Sequence, residues 1–145
     1  VGEAEIFYAE FPLVYNTVFD RSIFEEWCGQ PGPFASQERP LRLPAEIRAK
    51  LQAEGITHLF VNWMEVLRYR QTYGYTDFVH PLRFAALQED GVIGPPLQWP
   101  AGMGLRLVES LNDQERQTVE RWAPELIQPS PEGSALVTSA LYEVR

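Results

Sequence analysis

With 145 residues, 45% of them hydrophobic and 22% charged, the chain has the length and composition of one globular domain that can bury its own core. Twelve Lys and Arg against 20 Asp and Glu give a net charge of −8, which argues against nucleic acid as a partner because phosphate binding needs a basic surface. A single cysteine excludes an internal disulfide, no Cys/His cluster offers a zinc site, and no apolar run is long enough to predict a membrane span.

The N-terminal third of the chain predicts strands followed by two helices. Residues 5–10 (EIFYAE) and 13–17 (LVYNT) are rich in aromatic and β-branched side chains, which favours short strands. The segment 22–28 begins with a Ser-x-x-Glu capping box, and the segment 44–55 begins with proline and ends with glycine, so both predict helices. Residues 1–2 (VG) are typical of the end of a buried strand and its turn, so we expect the chain to be a piece of a longer protein.

The middle of the chain predicts the clearest strand and a third helix. The strand covers residues 57–63 (THLFVNW). The helix begins with Pro81, continues as PLRFAALQED with a broad apolar face, and ends at Gly91.

The C-terminal third predicts a strand over 105–109, a helix from a capping box at Asn112 to Trp122, and a strand over 135–144. The last strand (ALVTSALYEV) partly alternates, which favours an edge or antiparallel position. Segments rich in proline and glycine predict three loops: 29–40, 94–104 and 128–133. None is long enough to divide the chain, so we interpret residues 1–145 as a single soluble α/β domain.

A helix, a glycine and a buried strand in this order are the return half of a βαβ unit. We therefore predict an α/β fold with a small, mostly parallel sheet and helices packed on it, similar to a three-layer Rossmann fold, whose last strand is antiparallel. Such sheets bind ligands outside the carboxyl ends of their strands, so we expect a site at this edge.

The densest group of polar and aromatic side chains follows the strand predicted over 57–63, in VNWMEVLRYRQTYGYTDF. Its members are Asn62, Trp63, Glu65, Arg68, Tyr69, Arg70, Tyr73, Tyr75, Thr76 and Asp77. Arginine binds phosphate or carboxylate through two donors and aromatic rings stack on sugars, so this strand-end group could hold an anionic or sugar-like ligand. The alternative is structural: Glu65 and Arg68 pair three residues apart, and the Tyr rings close a loop over the core.

We expect this stretch to form a loop at the end of the sheet, because the chain must turn where it leaves the buried strand. Gly74 gives the loop a residue with unrestricted backbone geometry. Contacts of Arg68 and Arg70 with the carboxylates of Glu65 and Asp77 are expected to fix its conformation.

A second candidate site lies in YNTVFD, residues 15–20. Asn16 and Asp20 flank a turn between a predicted strand and the first predicted helix, where an amide and a carboxylate could bind a polar ligand. In the alternative interpretation Asp20 stabilises the positive end of the helix and binds nothing else.

Residues typical of catalysis have structural explanations in this sequence. His58 begins a buried strand and His80 precedes a helix-opening proline, so both are expected to be structural. Ser22 is predicted to cap a helix, and Cys28 lies at an apolar helix end without an adjacent base, which indicates an inert thiol. The glycine motifs of dinucleotide and phosphate binding are absent from the sequence. We predict no catalytic residue, no metal and no cofactor.

Two stretches resemble a known family: residues 1–27 (VGEAEIFYAEFPLVYNTVFDRSIFEEW) and 55–79 (GITHLFVNWMEVLRYRQTYGYTDFV). They are similar to the C-terminal soluble portion of bacterial polytopic membrane proteins of the dolichyl-phosphate-mannose mannosyltransferase-like type. The shared pattern is G-[DE]-A, then YNT-x-FD, then V-N-W-x-E-[IV]-x-R-Y-R, then YG[YF]TDFV. The resemblance covers about a third of the chain and does not extend to residues 98–145.

The resemblance implies a domain appended after the last membrane helix of a glycosyltransferase that uses lipid-phosphate-linked sugars, on the exported side of the bacterial inner membrane. Because the catalytic acid of that superfamily lies near its first membrane helices, a binding or packing role is implied for this chain. The implied partners are the membrane-embedded part of the same chain and a glycolipid or sugar. Two other hypotheses stay open: a free-standing α/β enzyme or nucleotide- or sugar-binding protein that uses the strand-end group, and a structural interaction module without a ligand.

Overall fold

The computed structural model describes Pro12, Val14 and residues 21–74, 76–97 and 103–145. The helices in these ranges are α1 (Ile23–Cys28), α2 (Pro44–Ala53), α3 (Trp63–Tyr73), α4 (Pro81–Glu89) and α5 (Asp113–Trp122). The strands are β1 (His58–Asn62), β2 (Ile93–Pro96), β3 (Leu105–Leu107), β4 (Ile127–Ser130), β5 (Gly133–Val137) and β6 (Ser139–Val144). Short 3-10 helices at Val108–Ser110 and Pro124–Leu126 flank α5. Apart from Val14, the strands predicted over 5–10 and 13–17 lie outside the described residues.

Every strand pair in the described ranges is antiparallel, so the prediction of a mostly parallel, Rossmann-like sheet is wrong. The strands form two three-stranded sheets, with the orders β1-β6-β2 and β3-β5-β4. Among the described strands there is consequently no edge at which the carboxyl ends of neighbouring strands meet.

The error has an identifiable cause in the position of β6. Strands β1 and β2 are both antiparallel to β6, so they run in the same direction and are joined through α3 and α4, as a βαβ unit requires. The C-terminal strand β6 lies between them and pairs with both. A partner so far along the chain leaves no trace in the local helix–glycine–strand pattern.

The strand predicted over 135–144 is two strands that meet at Thr138. Its amide donates to the carbonyl oxygen of Gly104 at 2.8 Å, and its carbonyl oxygen accepts from the amide of Trp63 at 2.8 Å. The chain thereby passes from the centre of one sheet to the centre of the other. Its antiparallel pairing is confirmed, but neither part is an edge strand.

The helix ends that the sequence marks are confirmed. The side chain of Ser22 accepts from the amide of Glu25 at the start of α1. α2 and α4 begin at prolines, and Gly55 and Gly91 follow them with left-handed backbone geometry. At α5 the capping box is reciprocal, because Asn112 accepts from the amide of Glu115 at 2.8 Å and donates its own amide to that carboxylate at 2.9 Å.

The stretch predicted to form a loop after β1 is instead α3, the longest of the described helices. The side chain of Asn62, the last residue of β1, accepts from the amide of Glu65 at 3.1 Å and so caps the helix. Trp63, Val66 and Leu67 are buried at helical spacing. Gly74 ends α3 with φ of +67°, a left-handed geometry that suits glycine.

Two edge strands lie in segments predicted to be loops. β2 has the sequence IGPP and β4 has the sequence IQPS. Each is at the edge of its sheet, where proline's missing amide leaves no gap in the hydrogen-bond ladder. Prolines at these edges also hinder pairing with another chain.

Aromatic side chains fill the core between the β1-β6-β2 sheet and the helices around it. The ring of Phe84 stacks on Phe24 at 4.6 Å between centroids, meets Trp63 edge-on at 5.3 Å, and contacts Tyr142 at 5.4 Å. Phe78 extends the group through Phe24 at 5.7 Å. Such pairs contribute beyond their burial and fix how α1, α3 and α4 lie against one another.

Candidate functional site

The first two members of the strand-end group have structural roles. Asn62 caps α3 through its side-chain oxygen. Trp63 is 1% exposed and lies in the aromatic core, so its indole is not a surface on which a ligand can stack. Asn62 and Trp63, which the sequence suggests as ligand contacts, therefore stabilise α3 instead.

Glu65 and Arg68 pair with each other on the exposed side of α3, as the structural alternative predicts. Arg68 Nε donates to the two carboxylate oxygens of Glu65 at 3.2 and 3.0 Å. The hydrogen bond that Arg68 donates to this carboxylate raises the pKa of Arg68. The Arg68 guanidinium also lies 4.7 Å from the ring of Tyr69, whose pKa is raised mainly by burial.

Arg70 and Asp77 form the second ion pair of this region, across the turn that follows α3. Arg70 Nη1 is buried and has no well-directed hydrogen bond, so its contact with Asp77 Oδ1 is an ion pair. The Arg70 guanidinium also lies 4.5 Å from the ring of Trp122, at the end of α5. These contacts link α3, the following turn and α5.

Three predicted ligand residues, Asn16, Asp20 and Tyr75, lie outside the described residues. Those that are described do not converge on one cavity. Asp77 alone among them lines the hollow described next.

A hollow of about 390 Å³ opens between the turn after α3, the start of α4 and the end of α5. Its lining residues are Gln37, Asp77, His80, Leu82, Arg83 and Trp122. Its size falls in the range of small-molecule sites, and its wall combines a carboxylate, a guanidinium and an indole. We call it the α4–α5 hollow.

His80 holds the wall of the α4–α5 hollow together. Its Nδ1 accepts from the amide of Leu82 at 3.2 Å, which caps α4, and its Nε2 lies 2.7 Å from the carbonyl oxygen of Trp122. Since Nδ1 accepts here, Nε2 carries the proton and donates. Both ring nitrogens are therefore used within the protein, as expected for a structural histidine.

Arg83 is the one charged group of the hollow without an oppositely charged partner within salt-bridge distance among the described residues. Its Nη2 donates to the carbonyl oxygen of Gln37 at 3.3 Å, and its guanidinium lies 4.0 Å from the ring of Phe78. Burial lowers the pKa of Arg83, and the Glu25 carboxylate raises it in part. The Arg83 guanidinium thus keeps further N–H donors for a ligand at a partly desolvated position.

Glu25 is the carboxylate that organises the neighbouring loop. It accepts from Arg39 Nε at 2.8 Å, from the hydroxyl of Ser36 at 3.1 Å, and from the hydroxyl of Thr76 at 2.7 Å. Its side chain is 15% exposed and that of Arg39 is 21% exposed. The sequence predicts Glu25 only as part of a capping box, whereas its side chain joins α1 to two distant loops.

Cys28 is completely buried at the end of α1, in agreement with the prediction of an inert thiol. Burial raises its pKa to about 12, against the smaller opposing effects of Arg42 and Arg83. A thiol protonated at neutral pH is a poor nucleophile.

Sequence reasoning missed four residues of the hollow: Gln37, Leu82, Arg83 and Trp122. They lie in three segments that are far apart in the chain, and each looks like an ordinary loop or helix residue. The available signal was Arg83 itself, a single arginine within the apolar PLRFAALQ pattern of α4.

Among the residues that the structure describes, no three His, Cys, Asp or Glu side chains come together as a metal site. No helix in the same ranges is long and apolar enough to cross a membrane. No protein-family model matches the chain, and neither curated proteins nor solved structures include one that is similar to it.

Proposed function

We propose that the chain is an accessory domain of a membrane-embedded glycosyltransferase that uses lipid-phosphate-linked sugars, with a binding or packing role rather than a catalytic one. The proposal starts from the resemblance of residues 1–27 and 55–79 to the soluble C-terminal portion of such proteins. It places the domain on the exported side of the bacterial inner membrane, next to the membrane-embedded part of the same chain.

The observation that carries the non-catalytic role is the internal pairing of the strand-end charges. Glu65 is bonded to Arg68, and Arg70 contacts Asp77 and Trp122. A general acid, a base or an anion clamp must have free valences toward a substrate, whereas Glu65, Arg68 and Arg70 are paired within the protein, and Asp77 keeps only one carboxylate oxygen beyond its ion pair. The two ion pairs stabilise the fold of the domain.

The competing hypothesis of a free-standing enzyme has less support in this geometry. It requires a pocket at the carboxyl edge of a parallel sheet with Glu65, Arg68 and Arg70 pointing inward. The sheets are antiparallel, Arg68 is 53% exposed at its side chain, and the α4–α5 hollow includes none of these three residues.

The test compares three proteins: the full-length parent, the parent without residues 1–145, and residues 1–145 alone. Each is assayed for transfer of a radiolabelled sugar from a polyprenyl-phosphate donor to acceptor in detergent. We expect activity from the parent, reduced activity or reduced yield after the deletion, and none from the isolated domain. Sugar transfer by the isolated domain, or a parent gene that encodes no membrane-spanning helices, would overturn the proposal.

A further inference from the structure

Among the described residues, more arginines than carboxylates lie around α1 and α4 within pairing distance of one another. Arg39 forms an ion pair with Glu25, Arg83 lies close enough for the Glu25 carboxylate to raise its pKa, and Arg42 and Arg83 both act on Cys28. The Glu25 carboxylate accepts hydrogen bonds from Arg39 and from the hydroxyls of Ser36 and Thr76. Arg42 has a buried Nε without a hydrogen-bond partner, and Arg83 has no carboxylate within salt-bridge distance in the described ranges. The local surplus of positive charge is notable in a chain of net charge −8.

Of these cations, Arg83 is the one that opens onto the α4–α5 hollow. A partly desolvated guanidinium without a counter-ion is less favourable than one that is paired. Its planar donors suit the oxygens of a phosphate or a carboxylate. The charge in the hollow therefore indicates an anionic group on the ligand.

The rest of the wall indicates that the ligand also carries hydroxyls on a compact ring. Asp77 uses Oδ1 for Arg70, while its Oδ2 accepts no hydrogen bond among the described residues and its side chain is 41% exposed. The indole of Trp122 and the side chain of Leu82, which is 54% exposed, add apolar surface. A free carboxylate oxygen beside an aromatic ring is the combination that binds hydroxyl-bearing rings.

We propose that the α4–α5 hollow binds an anionic sugar, a sugar phosphate or a sugar acid, with its anionic group on Arg83 and a ring hydroxyl donating to Asp77. A volume of about 390 Å³ accommodates one such monosaccharide. The proposal rests on the hollow alone and does not depend on the membrane context of the domain.

The test is an NMR titration of the isolated chain, because the Trp122 indole N–H reports directly on the hollow. The probes are glucose 1-phosphate, glucuronate, glucose and inorganic phosphate, at matched ionic strength. We expect saturable shifts of the Trp122 signal with one or both anionic sugars, and at least tenfold weaker binding of glucose and of inorganic phosphate. Tighter binding of glucose 1-phosphate or of glucuronate distinguishes a phosphate from a carboxylate ligand.

Matched variants distinguish a loss of ligand binding in the hollow from a general effect of the substitution on the protein. We expect Arg83→Gln to weaken binding at least tenfold, while Arg48→Gln leaves it unchanged, since Arg48 likewise donates to one backbone carbonyl, that of Asp90, but lies outside the hollow. Leu82→Glu places a negative charge beside Arg83 at an exposed position, so it keeps the test valid if Arg83→Gln does not fold. Its control is Leu43→Glu, also at an exposed leucine.

Several results would refute the site. One is the absence of saturable shifts with all four probes at tens of millimolar. Another is equal affinity for inorganic phosphate and glucose 1-phosphate, which would leave no role for the ring and its hydroxyls. A third is unchanged affinity in a folded Arg83→Gln or Leu82→Glu variant. None of these results bears on sugar transfer by the full-length parent, so the two proposals fail independently.

Discussion

Replacing Glu25 by Ala tests whether one carboxylate holds the loop 29–43 onto the core. The substitution removes the bonds from Arg39 at 2.8 Å, from Ser36 at 3.1 Å and from Thr76 at 2.7 Å. Arg39 keeps its donation to the carbonyl oxygens of Gln30 and Phe34, but it loses its only ion pair among the described residues.

The expected loss follows from burial. Hydrogen bonds to a charged group contribute about 1.5–3 kcal/mol each when well buried, and removing one partner of a buried pair costs about 3–5 kcal/mol. The side chains of Glu25 and Arg39 are 15% and 21% exposed, which reduces both effects. We therefore expect a decrease of about 3 kcal/mol in the free energy of unfolding, or roughly 6–12 °C in Tm for a chain of this size.

The assay is urea unfolding followed by circular dichroism, with Glu65→Ala as the matched control. Glu65 also pairs with one arginine, but Arg68 is 53% exposed, so its loss should cost about 0.5 kcal/mol. In the double variant Glu25→Ala/Arg39→Ala, the second change should cost less than it does in the wild type. Equal losses for Glu25→Ala and Glu65→Ala would refute the reasoning.

Three further changes have defined outcomes. Gly29→Ala should cost about 1–3 kcal/mol in urea unfolding because its Cβ would lie 2.4 Å from Arg39 Cδ, and an unchanged midpoint would contradict this close approach. Asp77→Ala should cost about 2 kcal/mol by leaving Arg70 Nη1 buried and unpaired, against about 0.5 kcal/mol for Arg68→Ala, and equal melting temperatures would exclude a structural role for the Arg70 pair. Burial raises the pKa of Cys28 from 9.0 to about 12, so the unfolded chain loses this proton first and stability falls as pH rises above about 9. Between pH 7 and pH 10 a Cys28→Val variant should therefore lose about 1 kcal/mol less of its free energy of unfolding than the wild type, and identical pH profiles would count against a buried thiol.

Helix ends could be predicted from the sequence because capping is local. Ser22 caps α1, Pro81 opens α4, and Asn112 and Glu115 cap α5, each through contacts within three residues. The helix α3 was missed because its sequence WMEVLRYRQTY mixes aromatic and β-branched residues with arginines, which suits a strand or loop equally well. The helical spacing of its buried residues identifies α3 as a helix only when the position of the sheet that covers them is known.

Sheet topology could not be predicted, because the decisive partner is remote in sequence. Strands β1 and β2 run in the same direction, but they do not pair with each other. Their separation by β6 depends on contacts between His58–Asn62 and Ser139–Val144, about 80 residues apart. Likewise the ion pair of Glu65 and Arg68 could be predicted from its spacing, whereas the α4–α5 hollow could not, since Gln37, Arg83 and Trp122 meet only in the folded chain.

The charge distribution connects the fold to the proposed ligand. Pairing in α3 uses Glu65 with Arg68 and Arg70 with Asp77, so each positive charge there has its own carboxylate. Around α4 this balance fails, because Arg83 lies at the hollow without a carboxylate of its own in the described ranges. The chain has 20 acidic residues, yet none of those that the structure describes lies within salt-bridge distance of Arg83. An anion supplied from outside explains the arrangement, because it pairs the guanidinium when bound and leaves the hollow open when absent.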